Sequence, residues 1–118
     1  MNRRSVGARG EQLARRFFQD KSFTVVAHNF RCRYGEIDLI LRKDKSFRFV
    51  EVKFRRTLAY GLPQESVVKN KQQRIRNVAV HWLRLRHLPV DIDIHLDVLA
   101  ISESTTGKIE YNLIEDAF

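Results

Sequence analysis

The chain has 118 residues, 43% hydrophobic and 31% charged, which suits one hydrophobic core and a single domain over residues 1–118. Its 22 Lys and Arg against 14 Asp and Glu leave a net charge of +8, which points to a polyanionic partner, nucleic acid first. Cys32 is the one cysteine, so an intrachain disulfide and a cysteine-built zinc cluster are excluded, and no run approaches the ~20 apolar residues of a membrane span.

A helix is expected over residues 5–21, where Val6, Leu13, Ala14, Phe17 and Phe18 form a partial apolar stripe and Arg9, Arg15 and Arg16 fall elsewhere. Arg3 and Arg4 are not followed by an apolar run of signal-peptide length, and a cytoplasmic protein is the expectation. Residues 23–27 are rich in β-formers and read as a strand. Strands are also expected over 35–42 and 47–54, where apolar and polar residues alternate with period two. The polar stretch from Arg42 to Ser46 between them reads as a turn, so these two strands form a hairpin. Residues 57–65, with Gly61 and Pro63, read as a loop carrying Tyr60. A second helix is expected over 67–86, with Ser66 as its cap. There Ile75, Val78, Ala79, Trp82 and Leu83 recur at i, i+3, i+4, i+7 and i+8. The largely apolar segment 93–102 reads as a strand buried on both faces, and 109–114 as a short last strand after a turn at Gly107. The order is αβββαββ, an α/β fold with a mixed central sheet flanked by helices.

The hairpin carries the informative residues. Asp38 lies on the face of its strand that Glu36 shares, and Glu51 and Lys53 share a face of theirs. Two carboxylates held about 4 Å apart repel by roughly 4 kcal/mol at an effective dielectric near 20, a penalty that a divalent cation removes. Hard oxygen donors suit Mg²⁺ or Mn²⁺. The same spacing also fits a plain ion pair between Asp38 and Lys53 across the strands, of modest value. Spacing alone leaves both readings open.

These residues resemble the PD-(D/E)XK nuclease superfamily, and most closely the small bacterial YraN-like proteins, which look like relatives of archaeal Holliday-junction resolvases. The resemblance spans nearly the whole chain. It runs through Gly7 to Ala14, the specific block from Asn29 to Ile40, the segment Phe49 to Arg55, Ser66-Val67 with Lys71 to Arg74, Leu96 to Ile101, and Asn112 to Phe118. Ile37 stands where the signature has proline, a position where proline is commonly absent. The resemblance implies a restriction-endonuclease-like fold and a divalent-metal-dependent nuclease. Asp38, Glu51 and the Val52 carbonyl would hold Mg²⁺ or Mn²⁺, and Lys53 would orient or deprotonate the attacking water. Glu11 matches a first-helix glutamate that lies near the metal in resolvase-like relatives; otherwise it is an ordinary exposed helix charge. Glu36 either assists Asp38 or sits at the rim.

Arg31, Arg33, Arg55 and Arg56 flank the hairpin, and Lys69, Lys71, Gln72, Arg74 and Arg76 crowd the start of the second helix. Arg31, Arg33, Arg55, Lys71, Gln72 and Arg74 are the candidates for backbone contact, with Lys71 or Gln72 nearest the scissile phosphate. The same runs also fit solvated faces. Tyr34, Phe54 and Tyr60 either stack on bases or, more in keeping with the pattern, pack against the sheet. The four histidines have no ligand spacing, Ser66 has no catalytic partners, and Asp97 reads as a structural hydrogen-bonding residue. The expected activity is a structure-selective endonuclease acting on DNA rather than RNA; branched DNA follows only by analogy with the resolvases. The alternative is a nucleic-acid-binding adaptor that keeps the nuclease fold. A homodimer or a protein partner is compatible with either.

Overall fold

In a computed structural model, residues 3–56, 69–89 and 91–117 are described. The expected loop 57–65 with Tyr60, the Ser66 cap and the side chain of Lys69 lie outside the described residues.

The elements follow the order helix α1 (Arg3–Gln19), strands β1 (Thr24–Cys32), β2 (Gly35–Lys43) and β3 (Ser46–Arg55), helix α2 (Lys69–Leu85), then strands β4 (Ile94–Glu103) and β5 (Ile109–Ile114). They build one five-stranded sheet in the order β1-β2-β3-β4-β5. The β3–β4 pair is parallel and the other three are antiparallel. A parallel pair needs a crossover between its strands, and α2 supplies it. The result is a mixed sheet with one helix against each face, compatible with a restriction-endonuclease-like fold.

Ala14 and Phe18 of α1 pack on Leu39, Leu41, Val50, Leu99 and Ile101. On the opposite face, Ile75, Val78, Ala79, Trp82 and Leu83 of α2 pack on Ile40, Phe47, Phe49 and Leu96. All five apolar positions of the α2 stripe are buried. A buried Val, Leu or Ile is worth roughly 1.5–3 kcal/mol, whereas a cation in a helix's first turn costs about 0.3–1 kcal/mol against the macrodipole. The packed face therefore outweighs the unfavourable placement of Lys71 near the start of α2. β4 is buried on both faces from Leu96 to Ile101, as its largely apolar run requires, with Asp97 the one charged residue inside it.

Two features depart from strict periodicity. β1 runs to Cys32 rather than ending at residue 27, because it crosses two irregularities that hide the alternation. A register shift falls between Val25 and Ala27, and Asn29 adopts a left-handed conformation at φ 50°. In β2, Ile37 joins the α2 cluster while Leu39 and Leu41 join the α1 cluster, so the strand turns over at Asp38. The β2–β3 hairpin closes on Lys43 and Ser46, which leaves a two-residue turn at Asp44-Lys45, with Asp44 at φ 56°.

The strand directions divide the sheet into two ends. At one lie the β2–β3 turn and the start of β4. There Asp97, fully buried, accepts hydrogen bonds from Arg48 Nη1 and from the Asp116 backbone N–H, each at 2.8 Å. His95 lies between Asp93 and Asp116, and the Ser46 hydroxyl donates to Asp93. This network ties the chain after β5 to the sheet, which accounts for Asp97 as a structural residue. At the other end lie the β1–β2 turn, the C-terminal ends of β3 and β4, and Glu11 of α1.

At Gly10, α1 lies close against Phe54 of β3. A Cβ built there would sit 2.8 Å from Phe54 Cβ, closer than real contacts allow. Gly10→Ala should gain up to about 1 kcal/mol of helix propensity and lose about 1–3 kcal/mol to overpacking. A net destabilisation of about 1 kcal/mol in urea melts is expected; a stabilised variant would show that α1 can move away at no cost.

Candidate active site

The β2–β3 ladder runs from Lys43/Ser46 to Leu39/Val50 and stops. Asp38 and Glu51 are the next residues on the two strands, so they stand where the strands part. The Val52 N–H, lacking a ladder partner on β2, donates to Asp38 Oδ2 at 2.7 Å. The Asp38 side chain thus takes over the hydrogen bond that the backbone gives up.

Asp38 and Val52 line a cleft of about 440 Å³ with Gly7, Ala8, Gly10, Glu11, Asn29 and Phe54. The α1 backbone forms one wall, and Gly10 permits the approach. Glu11 therefore shares a cleft with Asp38. Its Oε1 accepts a hydrogen bond from Asn29 Nδ2 at 2.8 Å and lies 2.8 Å from His28 Nδ1. From the sequence the histidines show no ligand spacing, and Asn29 has no site role. Their contact with Glu11 depends on how α1 lies against β1, and only the place of Asn29 at the head of the most specific sequence block signalled it.

Glu51 is reached from the α2 side. Lys71 Nζ lies 3.0 Å and Lys53 Nζ 3.8 Å from Glu51 Oε1. The nearer cation comes from α2 rather than from the same strand. Among the described ion pairs, Lys53 is matched with Glu51 and not with Asp38.

The electrostatics follow from this packing. Burial, and then the neighbouring Glu51 charge, push the Asp38 carboxyl up to about 6, against the opposing Val52 hydrogen bond. Burial, and then a hydrogen bond and repulsion from Lys71, hold the Lys53 ammonium below its ordinary range. Burial works in the same direction on Lys71, but its hydrogen bonds to Lys53 and Glu51 outweigh this and raise it. The two lysines therefore titrate as a pair rather than independently.

The remaining candidates divide. Glu36 is 57% exposed and bonds Arg31 Nε at 2.9 Å, so it belongs to the rim. The guanidinium of Arg33 lies over the Tyr34 ring. Arg55 and Gln72 are half-buried, and Arg74 is exposed. Phe54 packs with the α1 cluster and Tyr34 against the α2 cluster. Among the described residues, no three His, Cys, Asp or Glu side chains converge as a complete metal shell. Asp38, Glu51, near enough for its charge to raise the Asp38 carboxyl, and the Val52 carbonyl would offer hard oxygen donors to a cation. That donor set would suit Mg²⁺, which keeps several waters; burial first, and then the Glu51 charge, disfavour the ionised Asp38 carboxyl, a cost that a cation would offset.

Comparison with known proteins adds family relationships. The model of "Uncharacterised protein family UPF0102" matches residues 10–101. A UPF0102 protein of Nocardia farcinica is 46% identical over 100 residues, covering 85% of this chain and 78% of its own length. One from Geobacter sulfurreducens is 40% identical, covering 96% of this chain and 88% of its own. One from Caldicellulosiruptor bescii is 42% identical across 100% of both chains.

Proposed function

The chain belongs to the UPF0102 (YraN-like) family, a relative of the PD-(D/E)XK nucleases, and from that premise we propose that it is a divalent-metal-dependent, structure-selective endonuclease that hydrolyses phosphodiester bonds in DNA in the cytoplasm. The observation that carries this reading is a half-buried carboxylate with a raised pKa, Asp38, beside Glu51, whose Oε1 lies 3.0 Å from Lys71 Nζ and 3.8 Å from Lys53 Nζ, at an end of the sheet that carries many cations. Arg33, Arg55, Arg56 and Arg74 belong to that end by strand direction and helix position, as do Arg9, Arg31 and Lys108, which are paired there with Glu103, Glu36 and Glu110. Neither helix carries an acidic residue in its first turn, the reverse of what the macrodipole favours for stability. An anionic ligand at this end accounts for both features.

In this reading Asp38, Glu51 and the Val52 carbonyl hold Mg²⁺ or Mn²⁺, which supplies Lewis acidity at the scissile phosphate. Lys53 holds and moves the proton of the attacking water at Nζ, helped by its lowered pKa. Lys71 keeps positive charge at the site and biases Lys53 toward the neutral amine. Glu11, fixed by Asn29 and His28, closes the α1 side of the cleft. The arginines hold the DNA backbone without reading sequence.

Calorimetry with Mn²⁺ and a panel of labelled DNA substrates test the proposal. Wild type should bind the metal and cleave; Glu51→Gln should lose most of both. Equal Mn²⁺ binding by wild type, Asp38→Asn and Glu51→Gln would remove the proposed ligands. One observation favours the adaptor instead: the 3.0 Å contact of Lys71 already neutralises Glu51. An adaptor should bind DNA, cut none of the panel with any divalent ion, and bind unchanged after Glu51→Ala. Under either reading, affinity should fall steeply with salt, and Lys71→Ala with Arg74→Ala should flatten the slope by about 2 if both touch phosphates.

A further inference from the structure

Glu51 has more positive charge against it than it needs. Lys71 Nζ lies 3.0 Å and Lys53 Nζ 3.8 Å from the same oxygen, Oε1. One ammonium neutralises one carboxylate, and the second ammonium repels the first. Helix stability does not explain the second. Lys71 sits in the first turn of α2, Lys69–Leu85, where a cation opposes the macrodipole. Folding does not call for it either, because Lys53 already reaches Glu51 from the same strand. The two lysines differ in their access to solvent. The Glu51 side chain is 12% exposed, Lys53 22% and Lys71 35%. Lys71 comes from a helix end on a flexible four-carbon stem, so it is the cation placed to swing out. Lys53, two residues from Glu51 on β3, stays.

The charges decide what a metal would meet here. With Asp38 and Glu51 ionised and both lysines protonated, the four groups cancel. A dication on the carboxylates would leave positive charge in excess in a half-buried site, and would repel an ammonium already resting on its ligand. We propose that Lys71 is a stand-in cation: its ammonium occupies Glu51 in the free protein and moves to a DNA phosphate when a divalent metal takes Glu51. The proposal deepens the nuclease reading, on which it rests, by naming how that site is regulated. Lys71 serves one partner at a time. Metal weakens its hold on Glu51 and frees it for phosphate; phosphate draws it off Glu51 and opens the carboxylate to metal. Two ligands that each release the same lysine bind with positive and reciprocal coupling. Phosphodiester groups also bring the negative charge that the loaded site lacks. The free protein therefore holds metal weakly, and the site is completed on DNA.

The test uses the full chain and reads metal binding without DNA, then DNA binding with and without metal. Lys71→Met keeps the stem and removes the charge. By calorimetry it should bind Mn²⁺ about tenfold more tightly than wild type, inside the usual range of a coupling free energy. Lys53 still faces Glu51 at 3.8 Å, so the variant should fold. If its melting temperature falls, Lys71→Gln, which can still donate a hydrogen bond to Glu51, takes its place. Arg74→Met is the control. It removes an exposed charge from the same helix end, and Arg74 is not among the described ion-pair partners of Glu51. Its Mn²⁺ affinity should stay within about twofold of wild type, since exposed charges are screened. Ca²⁺ should raise the wild-type affinity for a labelled DNA duplex about tenfold over EDTA, and that gain should shrink to about threefold or less in Lys71→Met. Unchanged Mn²⁺ affinity in Lys71→Met, or an equal rise in Arg74→Met, would overturn the exchange and leave the proposed metal ligands standing. Equal wild-type DNA affinity in Ca²⁺ and EDTA, or an undiminished Ca²⁺ gain in Lys71→Met, would overturn it too. No Mn²⁺ binding by wild type or any variant would overturn the nuclease reading as well.

Discussion

Lys53→Ala should slow single-turnover phosphodiester cleavage by about 10²- to 10⁴-fold, the usual cost of losing one proton-transfer or charge-stabilising group. Folding should survive the change, because Glu51 keeps its nearer partner: Lys71 Nζ is 3.0 Å from Glu51 Oε1 and Lys53 Nζ is 3.8 Å away. Glu51 is not left without a cation, so the large penalty for a broken buried pair does not apply to it. DNA affinity should change little, since the arginines and Lys71 carry the backbone contacts. Lys53→Arg should not restore the rate, because a guanidinium differs in shape and cannot give up its proton near neutral pH. The measurement is a single-turnover rate in Mn²⁺ on whichever DNA the wild type cuts, with affinity measured separately in Ca²⁺. Wild-type rates from Lys53→Ala would end the proposed role. A variant that unfolds would assign Lys53 to structure instead.

The elements were legible where one face of an element meets one core. Ile75, Val78, Ala79, Trp82 and Leu83 announce α2, and each is buried against the sheet. The largely apolar run of β4 announces a strand covered on both faces. β1 was only half legible, because the register shift after Val25 and the left-handed Asn29 break the alternation by which a strand is read. The site shows the same division. Asp38, Glu51 and Lys53 lie on adjacent strands and could be found from period and resemblance. The contacts of Lys71 with Glu51, and of His28 and Asn29 with Glu11, join different elements. They depend on how each helix lies on the sheet, which no local pattern encodes. Strict alternation also places Asp38 in the middle of a regular ladder, whereas the structure ends the β2–β3 ladder just before it. That ending turns the Val52 N–H onto the Asp38 carboxylate.

Asp38→Asn should make the metal-free protein more stable at pH 8 and leave it nearly unchanged at pH 4. The Asp38 carboxyl stands at about 6 in the folded chain against 3.8 for an ordinary aspartate, because it is buried and faces Glu51. Between those values the folded state holds the proton that the unfolded state releases. Stability is therefore fully present below about 3.8, falls as pH rises, and has lost this contribution above about 6. A shift of about two units corresponds to roughly 2–3 kcal/mol. Asparagine carries no charge to desolvate, and its side-chain oxygen can still accept the Val52 N–H bond. Urea melts in EDTA should therefore show the variant gaining up to about 2 kcal/mol at pH 8. Mn²⁺ should reverse the order by raising the melting temperature of the wild type more than that of the variant. The outcome separates the two readings that spacing alone left open. If Asp38 served as the anionic half of an ion pair with Lys53, its pKa would be depressed and the asparagine variant would be less stable at pH 8. Lower stability at pH 8, or the same difference at both pH values, would overturn a carboxylate held under strain for a cation.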